Sequence, residues 1–243
     1  MCGLNADIVF LLDTSGSIRD KNINNITDNF QLLKDFVINM LDRIDVGPDT
    51  NRVASIEFSN FANIDFYLDA FQTRADIQQK INTTNYQGGE TNTAAALRRM
   101  REEVFVAGRG DRPEVANVGI MITDGESNKN ETDTIPQAAL VHEASITMFV
   151  VGVTNAINEV ELREIASDPD DSFFFNSTSL SFLDTLLTNL VDHLCRDDLN
   201  TNRGKRGQFS LPNSNPLLYL VKHANDRSAM SFFASIIIAY VWC

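Results

Sequence analysis

The chain of 243 residues is poor in the side chains and motifs on which most enzymes and small metal-stabilised domains depend. Its three cysteines are too widely spaced for a zinc ribbon or a Cys-x-x-Cys redox motif. Its three histidines are scattered, and none neighbours a serine or cysteine nucleophile in a recognisable motif. The chain also lacks a Gly-x-x-x-x-Gly-Lys phosphate loop and a Gly-x-Gly-x-x-Gly dinucleotide fingerprint. These absences predict that the protein is not an enzyme.

An excess of positive charge and a long apolar run are also missing. The net charge of −13 makes nucleic acid and anionic membranes poor partners. The almost uncharged terminal run Met230–Cys243 has 14 residues, whereas a helix that crosses a bilayer needs about 20. We therefore expect no membrane insertion by the core domain. No basic region followed by an apolar leader opens the chain, so an extracellular location has to be inferred from other features.

The chain is rich enough in apolar residues, at 43%, to bury a substantial core. Apolar runs alternate with amphipathic segments, which predicts a doubly wound, mostly parallel six-stranded α/β sheet with one antiparallel edge strand and helices on both faces. The predicted strands are Asp7–Leu12, Arg52–Phe58, Ile64–Tyr67, Val115–Thr123, Ile146–Val151 and Phe173–Phe175. The predicted helices are Ile23–Ile44, Ala75–Ile81, Thr91–Val104, Pro136–Ala144, Glu159–Ala166 and Leu180–Leu194.

The regular pattern stops near Cys195. We expect one domain over residues 1–195 and a poorly ordered tail over residues 196–243 that ends in a short apolar segment. Three interpretations of that segment stay open: a membrane-associated remnant, the removable part of a lipid-anchor signal, or non-native sequence.

Carboxyl and hydroxyl groups stand where two apolar strands end, and a glycine-rich loop carries a third polar group. One strand runs into Asp13-Thr14-Ser15-Gly16-Ser17, and another ends in Thr123-Asp124-Gly125. Ligands of open α/β sheets bind beyond the carboxyl ends of the strands, so we expect these loops to meet. Oxygen ligands suit a hard cation, Mg²⁺ most naturally, with Mn²⁺ or Ca²⁺ as alternatives. The predicted metal ligands are Asp13, Ser15, Ser17, Thr91 and Asp124.

The three segments, taken in order, resemble the metal-ion-dependent adhesion site of von Willebrand factor type A domains. The resemblance covers residues 7–194 and is strongest to the extracellular matrix branch found in collagen VI and matrilins. It implies that Ser15 and Ser17 bind the metal directly, that Asp13 and Asp124 bind directly or through water, and that Thr91 alternates between the two modes. It also implies a partner that supplies a Glu or Asp carboxylate to the open metal position. The expected rim of the ligand site is Gly89, Glu90, Asn92 and Gly125, and Glu90 departs from the glycine that is frequent there.

Two further features indicate an extracellular protein. Cysteines that flank the domain are common in this family, so we expect a Cys2–Cys195 disulfide in an oxidising compartment, with two reduced buried thiols as the alternative. Cys243 would then be left unpaired. Four Asn-x-Ser/Thr sequons are candidate glycosylation sites, at Asn25, Asn82, Asn130 and Asn176.

The sequence therefore predicts a non-catalytic extracellular adhesion module. It would bind Mg²⁺ and, through the metal, an acidic residue of a matrix or cell-surface protein, with collagen among the candidate partners. Two alternatives stay open: a structural matrix domain whose metal only stabilises its loops, and an intracellular assembly scaffold of the same fold.

Overall fold

The computed structural model describes residues 4–18, 29–153, 157–177 and 183–195. A six-stranded sheet in the order β3-β2-β1-β4-β5-β6 runs through these residues, and β3 is antiparallel to β2 while the other strand pairs are parallel. This confirms the predicted mostly parallel sheet with one antiparallel edge strand. The strands are β1 (Ala6–Asp13), β2 (Arg52–Phe58), β3 (Ala62–Phe66), β4 (Ala116–Thr123), β5 (Ile146–Val153) and β6 (Phe174–Ser177).

Helices cover both faces of the sheet, so its central strands are apolar on both sides. Every residue of β1 is buried. Because successive side chains of a strand point to opposite faces, Ile8 and Phe10 belong to one core with Phe36, whereas Val9 and Leu11 belong to the other. The helices are α1 (Asn29–Leu41), α2 (Arg74–Asn82), α3 (Thr93–Arg99), α4 (Glu131–Glu143), α5 (Glu159–Ile165), α6 (Asp170–Phe173) and α7 (Leu183–Leu194).

The differences from the predicted elements lie at their ends. Helix α1 ends at Leu41 rather than Ile44, and its predicted start lies outside the described residues. The predicted helix Thr91–Val104 begins at Thr93, and after Arg99 it continues as a π-helical turn, Met100–Val104, in which the Phe105 amide donates to the Met100 carbonyl oxygen at 3.0 Å. Helix α4 begins at Glu131, and Pro136 lies inside it. The short α6 was not predicted, because its four residues carry too little periodicity to be recognised.

The predicted tail lies outside the described residues. Among the helices of the described part of the chain, none is long and apolar enough to cross a membrane.

Candidate metal site

The two carboxyl-bearing loops meet because β1 and β4 are adjacent parallel strands. Leu12 is paired with Ile122, which puts Asp13 and Thr123 side by side at the carboxyl edge of the sheet. The Thr123 hydroxyl donates to Asp13 Oδ2 at 2.6 Å, and the Ser15 amide donates to Asp13 Oδ1 at 2.8 Å. Both carboxylate oxygens of Asp13 are therefore held by this protein's own donors.

A chain of side-chain hydrogen bonds joins the first loop to the third. Ser15 Oγ lies 2.9 Å from Ser17 Oγ. The Ser17 hydroxyl donates to Asp124 Oδ1 at 2.7 Å. Four of the five predicted ligands thus lie in one connected cluster, although Ser17 and Asp124 are 107 residues apart in the sequence.

The glycine-rich loop closes against the first loop through its backbone. The Gly16 amide donates to the Gly89 carbonyl oxygen at 2.8 Å, and the Gly88 amide donates to the Thr14 carbonyl oxygen at 2.8 Å. A Cβ on Gly16 would come within 3.1 Å of the Gly89 oxygen, and Gly89 has a φ of +92°. The positive φ therefore favours glycine at position 89, and the close approach leaves little room for a side chain at position 16.

Thr91 is placed between the second and third loops by its backbone. Its amide donates to Asn128 Oδ1 at 2.8 Å, and its carbonyl oxygen accepts from the Asn128 and Lys129 amides at 3.1 and 3.2 Å. Thr91 is buried, with 2% of its surface exposed. The fifth predicted ligand is therefore fixed to the loop that follows Asp124.

The surroundings of the two carboxyl groups of the cluster disfavour their ionised forms. Burial raises the pKa of Asp13, although hydrogen bonds from Ser15 and Thr123 oppose the change. Burial and the neighbouring Asp13 raise the pKa of Asp124 to about 7, against a hydrogen bond from Ser17. A divalent cation would offset the negative charge that burial disfavours.

The donor chemistry of the cluster fits a hard cation. Within the described residues, no group of three or more His, Cys, Asp or Glu side chains is arranged to hold a metal. Two carboxylates and neutral hydroxyls remain, and an all-oxygen set of this kind suits Mg²⁺ better than a soft metal. The residues present therefore fit the predicted cation.

Two of the predicted rim residues, Glu90 and Asn92, differ in their exposure to solvent. Glu90 is exposed, and its Oε2 lies 3.3 Å from the Lys129 ammonium. Asn92 is only 4% exposed; it accepts from the Ala95 amide as the cap of α3 and donates to the Asn60 carbonyl oxygen at 3.3 Å. Both ends of its amide group are therefore used beneath the surface, and its place in the rim stays a prediction.

Three residues that position the site were not recognised in the sequence. Thr123 holds Asp13, Asn128 holds Thr91, and Asn60 accepts from the Glu90 amide at 3.1 Å. Thr123 had a visible signal, because it stands directly before Asp124 at a strand end. Asn60 and Asn128 had none, because their partners are 30 and 37 residues away in the sequence.

The other predicted sites are partly described. Asn82, Asn130 and Asn176 are exposed, as a glycosylation site requires, while Asn25 lies outside the described residues. Cys195 follows α7 and is disulfide-bonded, and Cys2 lies outside the described residues. The Cys2–Cys195 pairing and the glycans therefore stay predictions.

Comparisons with known proteins agree with this fold. The sequence model of the von Willebrand factor type A domain matches residues 7–189. Mouse matrilin-4 is 36% identical over 195 residues, which cover 79% of this chain and 30% of the matrilin. The collagen alpha-1(XII) chain of Notophthalmus viridescens is 32% identical over 202 residues, which cover 83% of this chain and 20% of the collagen. The chain thus spans less than a third of the length of these two relatives.

A solved structure resembles the fold as well. Proximal thread matrix protein 1 from the mussel byssus, determined with zinc in its metal-ion-dependent adhesion site motif, superposes with a TM-score of 0.71 at 31% identity. The match covers 80% of this chain and 46% of the mussel chain.

Proposed function

The chain belongs to the von Willebrand factor type A domain family, and from this premise we propose that it is a non-catalytic extracellular adhesion module. It binds a divalent cation at the carboxyl edge of its sheet and, through that cation, a Glu or Asp carboxylate of a protein partner. The observation that carries the proposal is the hydrogen-bonded cluster of Asp13, Ser15, Ser17 and Asp124.

Each residue of the cluster has its own task. Ser15 and Ser17 offer hydroxyl oxygens to the cation, and Asp13 and Asp124 offer negative charge directly or through water. Thr91 contributes its hydroxyl from the glycine-rich side. Because most of these ligands are neutral, a bound cation would keep enough positive charge to attract a carboxylate from outside the protein. Thr123 and the Ser15 amide orient Asp13 so that it does not rotate away.

We propose Mg²⁺ as the natural cation, with Mn²⁺ or Ca²⁺ able to replace it. The mussel byssus protein holds zinc in its corresponding motif, so the identity of the metal has to be measured on this chain. Matrilins and collagens are extracellular matrix proteins, which supports a matrix protein or a cell-surface protein as the partner, collagen included. The disulfide at Cys195 and the exposed sequons support secretion.

A structural matrix domain is the second candidate. The hydrogen bonds that join the three loops favour it, because they provide a framework of the protein's own groups that a cation could simply strengthen. The two functions differ in one respect. The adhesion function requires that an acidic ligand binds through the metal, and the structural function does not.

The proposal is tested with the full chain and two displayed libraries of 12-residue peptides, one with a fixed central Glu and one with a fixed central Gln. We expect the Glu library alone to give peptides that bind in Mg²⁺ and elute with EDTA. Ser15→Ala combined with Ser17→Ala should abolish Mg²⁺ binding in calorimetry and with it the EDTA-sensitive peptides. Mg²⁺ binding without any EDTA-sensitive peptide would favour the structural function, and equal binding by the double variant would exclude the assigned site.

A further inference from the structure

Phe61 is an aromatic residue with 71% of its surface exposed, in the turn between β2 and β3. A single exposed apolar residue is ordinary in a soluble domain and needs no explanation by itself. The turn that carries Phe61, however, is hydrogen-bonded to the glycine-rich loop of the candidate metal site. The exposed ring is therefore held in a fixed position next to that site.

The connection runs through the two residues before Phe61. Asn60 Oδ1 accepts from the Glu90 amide at 3.1 Å, and the Ser59 carbonyl oxygen accepts from the Asn92 amide at 2.9 Å. These bonds are made on the two sides of Thr91, one residue before it and one residue after it. Phe61 is therefore held on a turn that shares its support with a predicted metal ligand.

A cation from the third loop touches the aromatic ring. The Lys129 ammonium lies 5.1 Å from the centroid of the Phe61 ring and 3.3 Å from Glu90 Oε2. The Lys129 amide donates to the Thr91 carbonyl oxygen at 3.2 Å. Three side chains from three different loops thus form one contact group, Phe61–Lys129–Glu90, next to the predicted metal ligand Thr91.

The charges of this group suit an acidic partner. Glu90 by itself would repel a carboxylate that approaches the metal, but Lys129 lies against it and cancels its charge. An exposed ion pair adds little to stability, so the pair is better understood as a means of holding Lys129 beside the ring. The part of the Phe61 ring that Lys129 does not cover is apolar. Its burial under a partner would therefore stabilise the complex.

We propose that the group Phe61–Lys129–Glu90 is a second contact point for the partner of the metal site. Its occupant is a protein segment whose carboxylate reaches the metal and which also carries a large apolar side chain that packs on Phe61. This inference rests on the proposed function, because it names the kind of segment that the metal site would receive.

The test uses the Glu-centred peptide library with the wild-type chain, Phe61→Ser and Val160→Ser. Val160 is the matched control because it is an apolar residue with a similar exposed fraction, 74%, and lies in α5 rather than in the turn between β2 and β3. All three proteins should bind Mg²⁺ equally in calorimetry. Peptides eluted by EDTA from the wild type and from Val160→Ser should be enriched in large apolar residues near the Glu, and those from Phe61→Ser should not.

One enriched peptide then measures the contact directly. Replacing its apolar residue with Ser should weaken binding to the wild type by about tenfold or more, as expected for a buried anchor at an interface, and should weaken binding to Phe61→Ser little further. This double-mutant coupling identifies the two side chains as neighbours. Additive losses, or equal apolar enrichment with all three proteins, would overturn the inference and leave the proposed function standing. A wild-type chain that selects no EDTA-sensitive peptide would overturn both.

Discussion

The hydroxyl of Thr123 donates to Asp13 Oδ2 at 2.6 Å, across neighbouring strands and 110 residues of sequence. Asp13 is fully buried, and its other oxygen accepts from the Ser15 amide. The orientation of the first carboxylate of the candidate metal site therefore depends on a residue that is itself not among the predicted ligands.

Replacing Thr123 by Val removes this donor while keeping the size of the side chain. We expect Mg²⁺ affinity to fall by about 10- to 100-fold, as for other residues that orient a metal ligand, and the free energy of unfolding to fall by about 1–3 kcal/mol because a buried acceptor loses its partner. Calorimetry and urea unfolding measure the two effects. Thr123→Ser keeps the hydroxyl and should retain most of the affinity; an equal loss in both variants would assign the effect to packing alone.

Gly89→Ala should displace the glycine-rich loop. Its φ of +92° disfavours any other residue, and a Cβ there would collide with the Asn60 side chain. We expect a stability loss of about 1 kcal/mol or more together with weaker Mg²⁺ binding, because the contact between Gly89 and Gly16 would be lost. Gly108→Ala is the control, since a Cβ at Gly108 meets nothing within 4 Å. Thermal unfolding that ranks Gly108→Ala as the more damaging change would contradict this account.

The stability of the metal-free domain should fall as the pH rises from about 4 to 8. The pKa of Asp124 is raised from an ordinary value of 3.8 to about 7, so between these values the folded state holds a proton that the unfolded state has lost. The stability that this proton provides is fully present below pH 3.8 and is lost as the pH passes through about 7. The raised pKa of Asp13 acts in the same direction.

The measurement is the unfolding temperature in EDTA at pH 5 and pH 8, for the wild type and for Asp124→Asn. The wild type should lose more stability over this range than the variant, which has no proton to lose at this position. Added Mg²⁺ should raise the unfolding temperature more at pH 8 than at pH 5, because protons compete with the cation for the same carboxylates. A wild type that becomes more stable in EDTA as the pH rises would refute the assignment.

Arg112 should matter for folding and not for the metal. Its Nε donates to the fully buried Asp7 at 2.9 Å, its backbone amide donates to the other Asp7 oxygen at 2.6 Å, and its guanidinium also donates to the Thr50 carbonyl oxygen. We expect Arg112→Leu to cost about 3–5 kcal/mol, because an uncompensated carboxyl group remains buried. Mg²⁺ affinity should stay unchanged, since Asp7 and the metal cluster lie at opposite ends of β1.

Much of the fold could be predicted because its signals are local. The apolar run over residues 8–12 has the composition of a strand buried on both faces, and β1 is buried throughout. The ends of helices were harder, since the turn Met100–Val104 differs from an α-helix only in its hydrogen bonds. The start of α4 was placed too late because Pro136 usually marks the beginning of a helix, whereas here it lies inside one.

In the candidate site, too, the features with a local sequence signal could be predicted and the others could not. The residues of its hydrogen-bonded cluster could be predicted, because polar side chains that follow neighbouring parallel strands lie at one edge of the sheet. The supports could not, since Asn60 and Asn128 are ordinary loop residues until their partners are known. The capping role of Asn92 was missed for a related reason, because a cap residue and a rim residue have the same sequence neighbours.

The sequence by itself determined where strands end and which oxygen atoms stand there, because hydrophobic periodicity and turn chemistry act between residues that are close along the chain. Only the tertiary structure decided which other side chains support those ends. The strand order placed Asp13 beside Thr123, and the loop contacts placed Lys129 between Glu90 and Phe61. Such contacts depend on the packing of helices on both faces of the sheet, a property of the whole core that no local segment contains.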